Sequence, residues 1–390
     1  MTQSELETGS LNARRPVRLD LWLNIALGGV LVLILGAAAY FGYTVYRDRQ
    51  VEDASSATGR LVTVLSAQVR QTPNDAVLRV RLGEAYGAME KYPQAIEQFN
   101  AALKINPKHD GAYLDLGMIA MLTNNNSAAE NYFKKVLSIT GSDQYSGLSS
   151  VREQALYNLG LITLGEKRYS DAAGFFKGAL HIRSDASDTY YQLAHALHGL
   201  GDTEDAIQQL QLGLQFDPSF AEAHYYLGQL YKEKKDDVNA SYQFAQAVKL
   251  APGADPPLQA LDAYGPASDW IAKARSALAA GDIETALTDI LVARNLDEKS
   301  FEAAKLHGEI AVQRGDLKDA LDIYRQAAAL NPKDAGVQAE IATLAKQVAA
   351  LTPAKSAAVK RAAAMKTAAK KAAAKKTTAT TTGAATTTKP

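Results

Sequence analysis

Residues 76–109 read AVLRVRLGEAYGAMEKYPQAIEQFNAALKINPKH. Small and large side chains alternate through this stretch, with Leu82, Gly83 and Tyr86 in its first half, Ala95, Phe99 and Ala102 in its second, and Pro107 near its end. The alanine at 95 recurs at 129, 172, 206, 240, 286 and 320, with gaps of 34, 43, 34, 34, 46 and 34 residues. Every step is a 34-residue period, or that period lengthened by nine or twelve. A fixed period of this size marks a helical repeat array.

Those seven residues, from Leu82 to Pro107, resemble the tetratricopeptide repeat, with Arg79 standing at the position usually held by tryptophan. Carried along the chain, the same frame starts units at Ala76, Asp110, Glu153, Ser187, Ala221, Ala267 and Phe301. A small residue recurs as Gly83, Gly117, Gly160, Ala194, Gly228, Ala274 and Gly308. A large one recurs as Phe99, Phe133, Phe176, Leu210, Phe244, Ile290 and Tyr324. The resemblance implies an all-α, right-handed α-solenoid of about seven helix hairpins. Two antiparallel helices approach closely only where one side chain is small, so size alternation carries the signal.

Turn chemistry agrees with the frame. Gly201-Asp202, Gly281-Asp282 and Gly315-Asp316 each offer a residue suited to left-handed dihedrals, followed by a side-chain acceptor for the next helix. Pro107, Pro218, Pro252 and Pro332 stop helices at unit junctions. Leu61, Val64, Leu65 and Val69 form a helical stripe ahead of unit one. Val337, Ile341, Leu344, Val348 and Leu351 form one after unit seven, and both read as capping helices. The period is broken by a polar insert, SDQYSGLSS (142–150), and by a stretch holding Pro256, Pro257, Gly265 and Pro266.

The expected organisation is an N-terminal tail (1–20), a transmembrane helix (21–46), a linker with N-capping helix (47–75), and units one to five (76–254). A Pro-rich hinge (255–266), units six and seven (267–334), a C-capping helix (335–351) and a disordered Ala/Lys/Thr-rich tail (352–390) complete it. The transmembrane reading rests on 26 uncharged residues between Asp20 and Arg47, about 39 Å as a helix against a hydrocarbon core of about 30 Å. Trp22 and Tyr40, Tyr43 and Tyr46 flank it as interfacial rings. Arg14, Arg15 and Arg18 before the run against Arg47 and Arg49 after it favour a single pass with the N-terminus inside and the repeats outside, and the resemblance to bacterial anchored repeat proteins implies a cytoplasmic membrane. Cytoplasmic repeats are the alternative.

Composition excludes several function classes. Without cysteine there is no disulfide, thiol catalysis or cysteine-held zinc. The six histidines are scattered, and no phosphate loop or nucleophile elbow occurs, so no enzyme, metal or cofactor is expected. The net charge of zero hides a tail from 352 onward with nine basic residues and no acid.

The resemblance places four positions of each first helix on a concave groove. They fall on Leu114, Met118, Met121, Tyr157, Leu161, Leu164, Tyr191, His195, His198, Tyr225 and Gln229. A lining rich in Tyr, Met and Leu suits an extended peptide or an amphipathic helix, because Tyr offers area with few rotamers and Met adapts. Val77, Val80, Glu84, Gly111 and Leu114 do not supply the Lys/Asn/Arg clamp that some such repeats use for acidic C-termini.

The expected function is a membrane-anchored scaffold that binds a protein partner, similar in layout to repeat proteins of envelope and secretion assemblies. The alternative is a polyanion tether (cell-wall polymer, anionic lipid or nucleic acid). It would act through Lys355, Lys360, Arg361, Lys366, Lys370, Lys371, Lys375 and Lys376, whose Ala/Lys setting resembles histone-like tails.

Overall fold

The computed structural model describes residues 41–42, 56–141, 149–351 and 365–367. The chain forms two compact units that divide between Ile162 and Thr163. Among the described residues all regular structure is helical.

The first unit contains α1 (Ala57–Gln71), α2 (Ala76–Ala88), α3 (Tyr92–Ile105), α4 (Asp110–Leu122), α5 (Asn126–Thr140) and the larger part of α6 (Ser150–Gly165). Helices α2 and α3 pair as one hairpin and α4 and α5 as the next. Leu65 and Val69 of α1 cluster with Leu82 and Ala85 of α2, so a lone helix covers the outer side of the first hairpin. A first helix must leave room for a ring on its partner. A Cβ built on Gly83 would lie 2.6 Å from the ring of Phe99.

The second unit contains α7 (Tyr169–Ile182), α8 (Ser187–Gly199), α9 (Thr203–Phe216), α10 (Ala221–Glu233), α11 (Asp237–Leu250) and α12 (Asp255–Asp262). It continues with α13 (Ala267–Ala279), α14 (Ile283–Leu296), α15 (Phe301–Arg314), α16 (Leu317–Leu330) and α17 (335–351). Gly228 faces Phe244 and Gly308 faces Tyr324 as Gly83 faces Phe99. Where the first helix carries Ala274 instead, the partner is the slimmer Ile290, and both are fully buried. Val337 and Leu344 of α17 close the last hairpin against Tyr324 and Ala327.

Each hairpin turns at the same frame position. Positive φ occurs at Glu90, Asn124, Lys167, Gly201, Lys235, Gly281 and Gly315, the fifteenth residue of every unit. The amide of the following residue then reaches back to a carbonyl five residues earlier, as in Lys91 N–H to Tyr86 at 2.9 Å and Asp236 N–H to Tyr231 at 2.9 Å. This is the Schellman closure of a helix C-terminus. Asp282 caps α14 by accepting from the Thr285 amide, as expected. Asp202 and Asp316 make no such cap, and Asp316 instead pairs with Arg314.

The stretch 255–266, expected as a Pro-rich hinge, contains a short helix: Pro256 and Pro257 stand in the first turn of α12, where a missing amide costs nothing. Its end is tied down by the Tyr264 hydroxyl donating to Asp237 Oδ1 at 3.0 Å and by Trp270 Nε1 donating to the Tyr264 carbonyl at 2.8 Å.

Placement in a membrane meets a different outcome. Among the described residues no helix is long and apolar enough to cross a membrane. The hairpin helices run 13 to 16 residues, against about 20 apolar residues for a span. The single-pass localisation is withdrawn on that finding. The run 21–46 itself, apart from Phe41 and Gly42, lies outside the described residues. So does the tail, apart from Met365, Lys366 and Thr367, which are exposed and helical.

Candidate functional site

In the first unit the groove positions on α4 separate by depth. Leu114 is buried, Met121 is half-buried, and Met118 is 42% exposed. Leu122, one turn beyond Met118, is 65% exposed, and Val77 on α2 is 58% exposed. Helical spacing puts Met118 and Leu122 on one stripe, and neither is used to hold a hairpin together. Tyr157 and Leu161 on α6 are half-buried.

Asp115 lies between those α4 positions and is half-buried without a hydrogen bond or ion pair among the described residues. Burial, and then the charge of Glu84, push its carboxyl up to about 7.

In the second unit three of the predicted residues, Tyr191, His195 and His198, join Phe220 and Tyr226 in a packed aromatic cluster between α8 and α10. Tyr191 meets His195 edge-on at 4.6 Å and Phe220 at 5.2 Å. His195 stacks on Tyr226 at 3.9 Å with planes 8° apart. His198 uses both ring nitrogens: Nδ1 lies 2.9 Å from the Tyr226 hydroxyl and Nε2 lies 3.0 Å from Glu233 Oε2. Neutral imidazole satisfies both if Nε2–H donates to Glu233 and Nδ1 accepts from Tyr226. Burial, and then His198, lower the His195 pKa to about 4, so its ring is uncharged at neutral pH.

These rings hold neighbouring first helices together. Sequence reasoning placed Tyr225 in the groove, but Tyr225 leans on Phe244 within its own hairpin at 5.8 Å. Tyr226, one residue on and about 100° round the helix, is the ring that reaches the preceding hairpin. The adjacent tyrosines carried no periodic signal to tell them apart. Leu164 is half-buried and Gln229 exposed.

Two further histidines lie outside that cluster. His224 lies at Gln243 and the Pro218 carbonyl, and His307 lies against Arg294. Among the described residues no group of three or more His, Cys, Asp or Glu side chains is arranged to hold an ion.

Known proteins share the repeat. Tetratricopeptide-repeat family models match residues 76–109, 110–143, 163–230 and 271–335. The anaphase-promoting complex subunit 3 of Schizosaccharomyces pombe is 24% identical over 168 residues, which is 43% of this chain and 24% of that protein. Human tetratricopeptide repeat protein 21A is 36% identical over 78 residues, 20% of this chain and 6% of that protein. The chain therefore spans a quarter or less of the length of these two relatives.

Among solved structures, YrrB, described as a TPR protein with an unusual peptide-binding site, aligns over 50% of this chain and 96% of its own. The sequence identity is 18% and the TM-score 0.43. The chain carries tetratricopeptide repeats, arranged as the scaffold type of protein-interaction domain.

Proposed function

We propose that the chain holds a protein partner along the first helices of its hairpins, with Met118 and Leu122 as the leading contacts. The exposure of these two side chains carries the reading. Packing of the hairpins does not require them to be apolar, and exposed Met and Leu on one stripe are what an extended segment or an amphipathic helix would cover. Tyr157 and Leu161 of the same compact unit are further contacts. In the second unit Tyr191, His195, His198 and Tyr226 hold α8 to α10, and Leu164 and Gln229 stand as contacts on that unit's own first helices.

Substituting Met118 and Leu122 by Glu in the full chain tests the reading. Because both side chains are exposed, the variant should fold with an unchanged unfolding midpoint. A protein should co-purify with the wild type in stoichiometric amount and be lost from the variant. Retention of that protein by the folded variant excludes this surface.

A second reading has its own observation. Residues 163–351 hold 27 acidic and 18 basic residues, whereas 352–390 hold nine basic and no acidic ones. Segregation this complete suits a tail that meets a polyanion. Binding through the tail would fall steeply with salt and vanish when the eight lysine and arginine positions from Lys355 to Lys376 become Gln. The Met118 and Leu122 variant would bind the polyanion as the wild type does.

A further inference from the structure

The twelve-residue insert changes how two hairpins meet. Where the period is unbroken, a second helix packs on the next first helix, as α9 does on α10 and α14 on α15. Around the insert, α11 instead packs directly on α14, so two second helices lie side by side. Val292 of α14 is fully buried there, in one cluster with Phe244 and Tyr264.

A crevice of about 430 Å³ opens along this contact. That volume falls at the lower end of small-ligand sites, about 300–1,000 Å³. Val248, Leu261 and Leu291 give it apolar walls, and Tyr242, 47% exposed, stands at its rim.

Its charge is unusual for its setting. In a segment where acids outnumber bases by 27 to 18, the lining carries Lys249, Arg294 and Lys299 against Asp297 and Glu298. Lys249 and Glu298 pair with each other. Arg294 is half-buried, and its Nη1 donates to His307 Nδ1 at 2.7 Å while its Nη2 donates to Gln326 Oε1 at 2.7 Å.

Both acceptors are uncharged. Burial, followed by the charges of Arg294 and Arg314, lowers the His307 pKa to about 4. No carboxylate pairs with Arg294 among the described residues. A guanidinium bonded to two neutral groups carries further N–H donors and no counter-ion, and a half-buried charge without a counter-ion is costly.

We propose that this crevice is a second ligand site, taking a carboxylate attached to an apolar body. Arg294 holds the carboxylate, and the wall formed by Leu261 and Leu291 under Tyr242 covers the apolar part. The site lies on the second helices α11 and α14 with Leu261 of α12, and does not depend on the first-helix surface. A free aliphatic acid and an acidic residue flanked by apolar ones in a peptide share the required chemistry.

Titration of the full-length protein with hexanoate, hexanamide and the capped tripeptide acetyl-Leu-Glu-Leu-amide tests it, with binding followed by NMR or calorimetry. Hexanoate or the tripeptide should bind saturably, and hexanamide at least about tenfold more weakly than hexanoate, the size of one charge-assisted hydrogen bond. The stronger of the two acids identifies the source. Arg294→Gln should weaken the acids about tenfold. Tyr242→Glu, an exposed change that leaves the core intact, should weaken hexanoate more than hexanamide, because both lose the ring but the added carboxylate repels the acid alone. The proposal is overturned if neither acid saturates, if hexanamide equals hexanoate, or if Tyr242→Glu leaves hexanoate binding unchanged.

Discussion

A side-chain carbon added to Gly117 on α4 would sit 2.5 Å from the ring of Phe133 on α5. Phe133 is fully buried, so the ring has nowhere to retreat. Gly117→Ala should therefore cost about 1–3 kcal/mol through overpacking. The chain itself shows the remedy, since Ala194 occurs with Leu210 in the fourth unit. Adding Phe133→Leu to Gly117→Ala should recover a large part of the loss, and denaturant melts of the two single variants and the double variant measure it. A purely additive double variant would mean that the two positions do not share the space.

The hairpin turns at Glu90, Lys167 and Lys235 hold left-handed φ of 57°, 59° and 60° without the glycine found at 201, 281 and 315. A side chain with a Cβ is strained there. Lys235→Gly should stabilise the protein by about 0.5–1 kcal/mol, because relief of that strain exceeds the extra freedom glycine gives the unfolded chain. An unchanged or lowered unfolding midpoint would show that the lysine side chain contributes more than the strain removes.

Stability should depend on pH in two opposed ways. His195 and His307 stay neutral when folded down to about pH 4, against an ordinary value of 6.5. The unfolded chain takes up those protons first, so folding weakens as pH falls from 6.5 towards 4. His195→Gln should flatten that limb. Asp115 behaves in the other sense, holding its proton up to about 7 instead of 3.8, so the folded state loses stability as pH rises through that window. Asp115→Asn should raise the melting temperature at pH 8 and leave it nearly unchanged near pH 4. Equal effects at both pH values would remove Glu84 and burial as the cause.

Much of the hairpin architecture is legible in the sequence, because packing imposes it residue by residue. Gly83, Gly117 and Gly228 announce the rings they face. The turn position is only half legible: Gly201, Gly281 and Gly315 mark it, while Glu90 and Lys235 adopt the same backbone because the Schellman closure holds it. Pro256 and Pro257 read as a break, since proline ends helices as readily as it starts them, and only the neighbouring Tyr264 and Trp270 decide which.

The candidate surface was less legible. Periodicity assigns a face but not a depth, so Leu114 and Met118 look alike in sequence although one is buried and the other exposed. The adjacent pair Tyr225 and Tyr226 differ by one helical step, and contacts alone separate the ring that holds its own hairpin from the ring that bridges to the previous one.

Site-specific photo-crosslinking in cells tests the central claim most directly, with the reactive residue placed in turn at Leu122 on a first helix and at Leu212 on a second helix. The account predicts one discrete protein adduct from Leu122, lost when Met118→Glu is added, and no such adduct from Leu212. Adducts of equal strength from both positions, or an adduct from Leu122 that survives Met118→Glu, would contradict it.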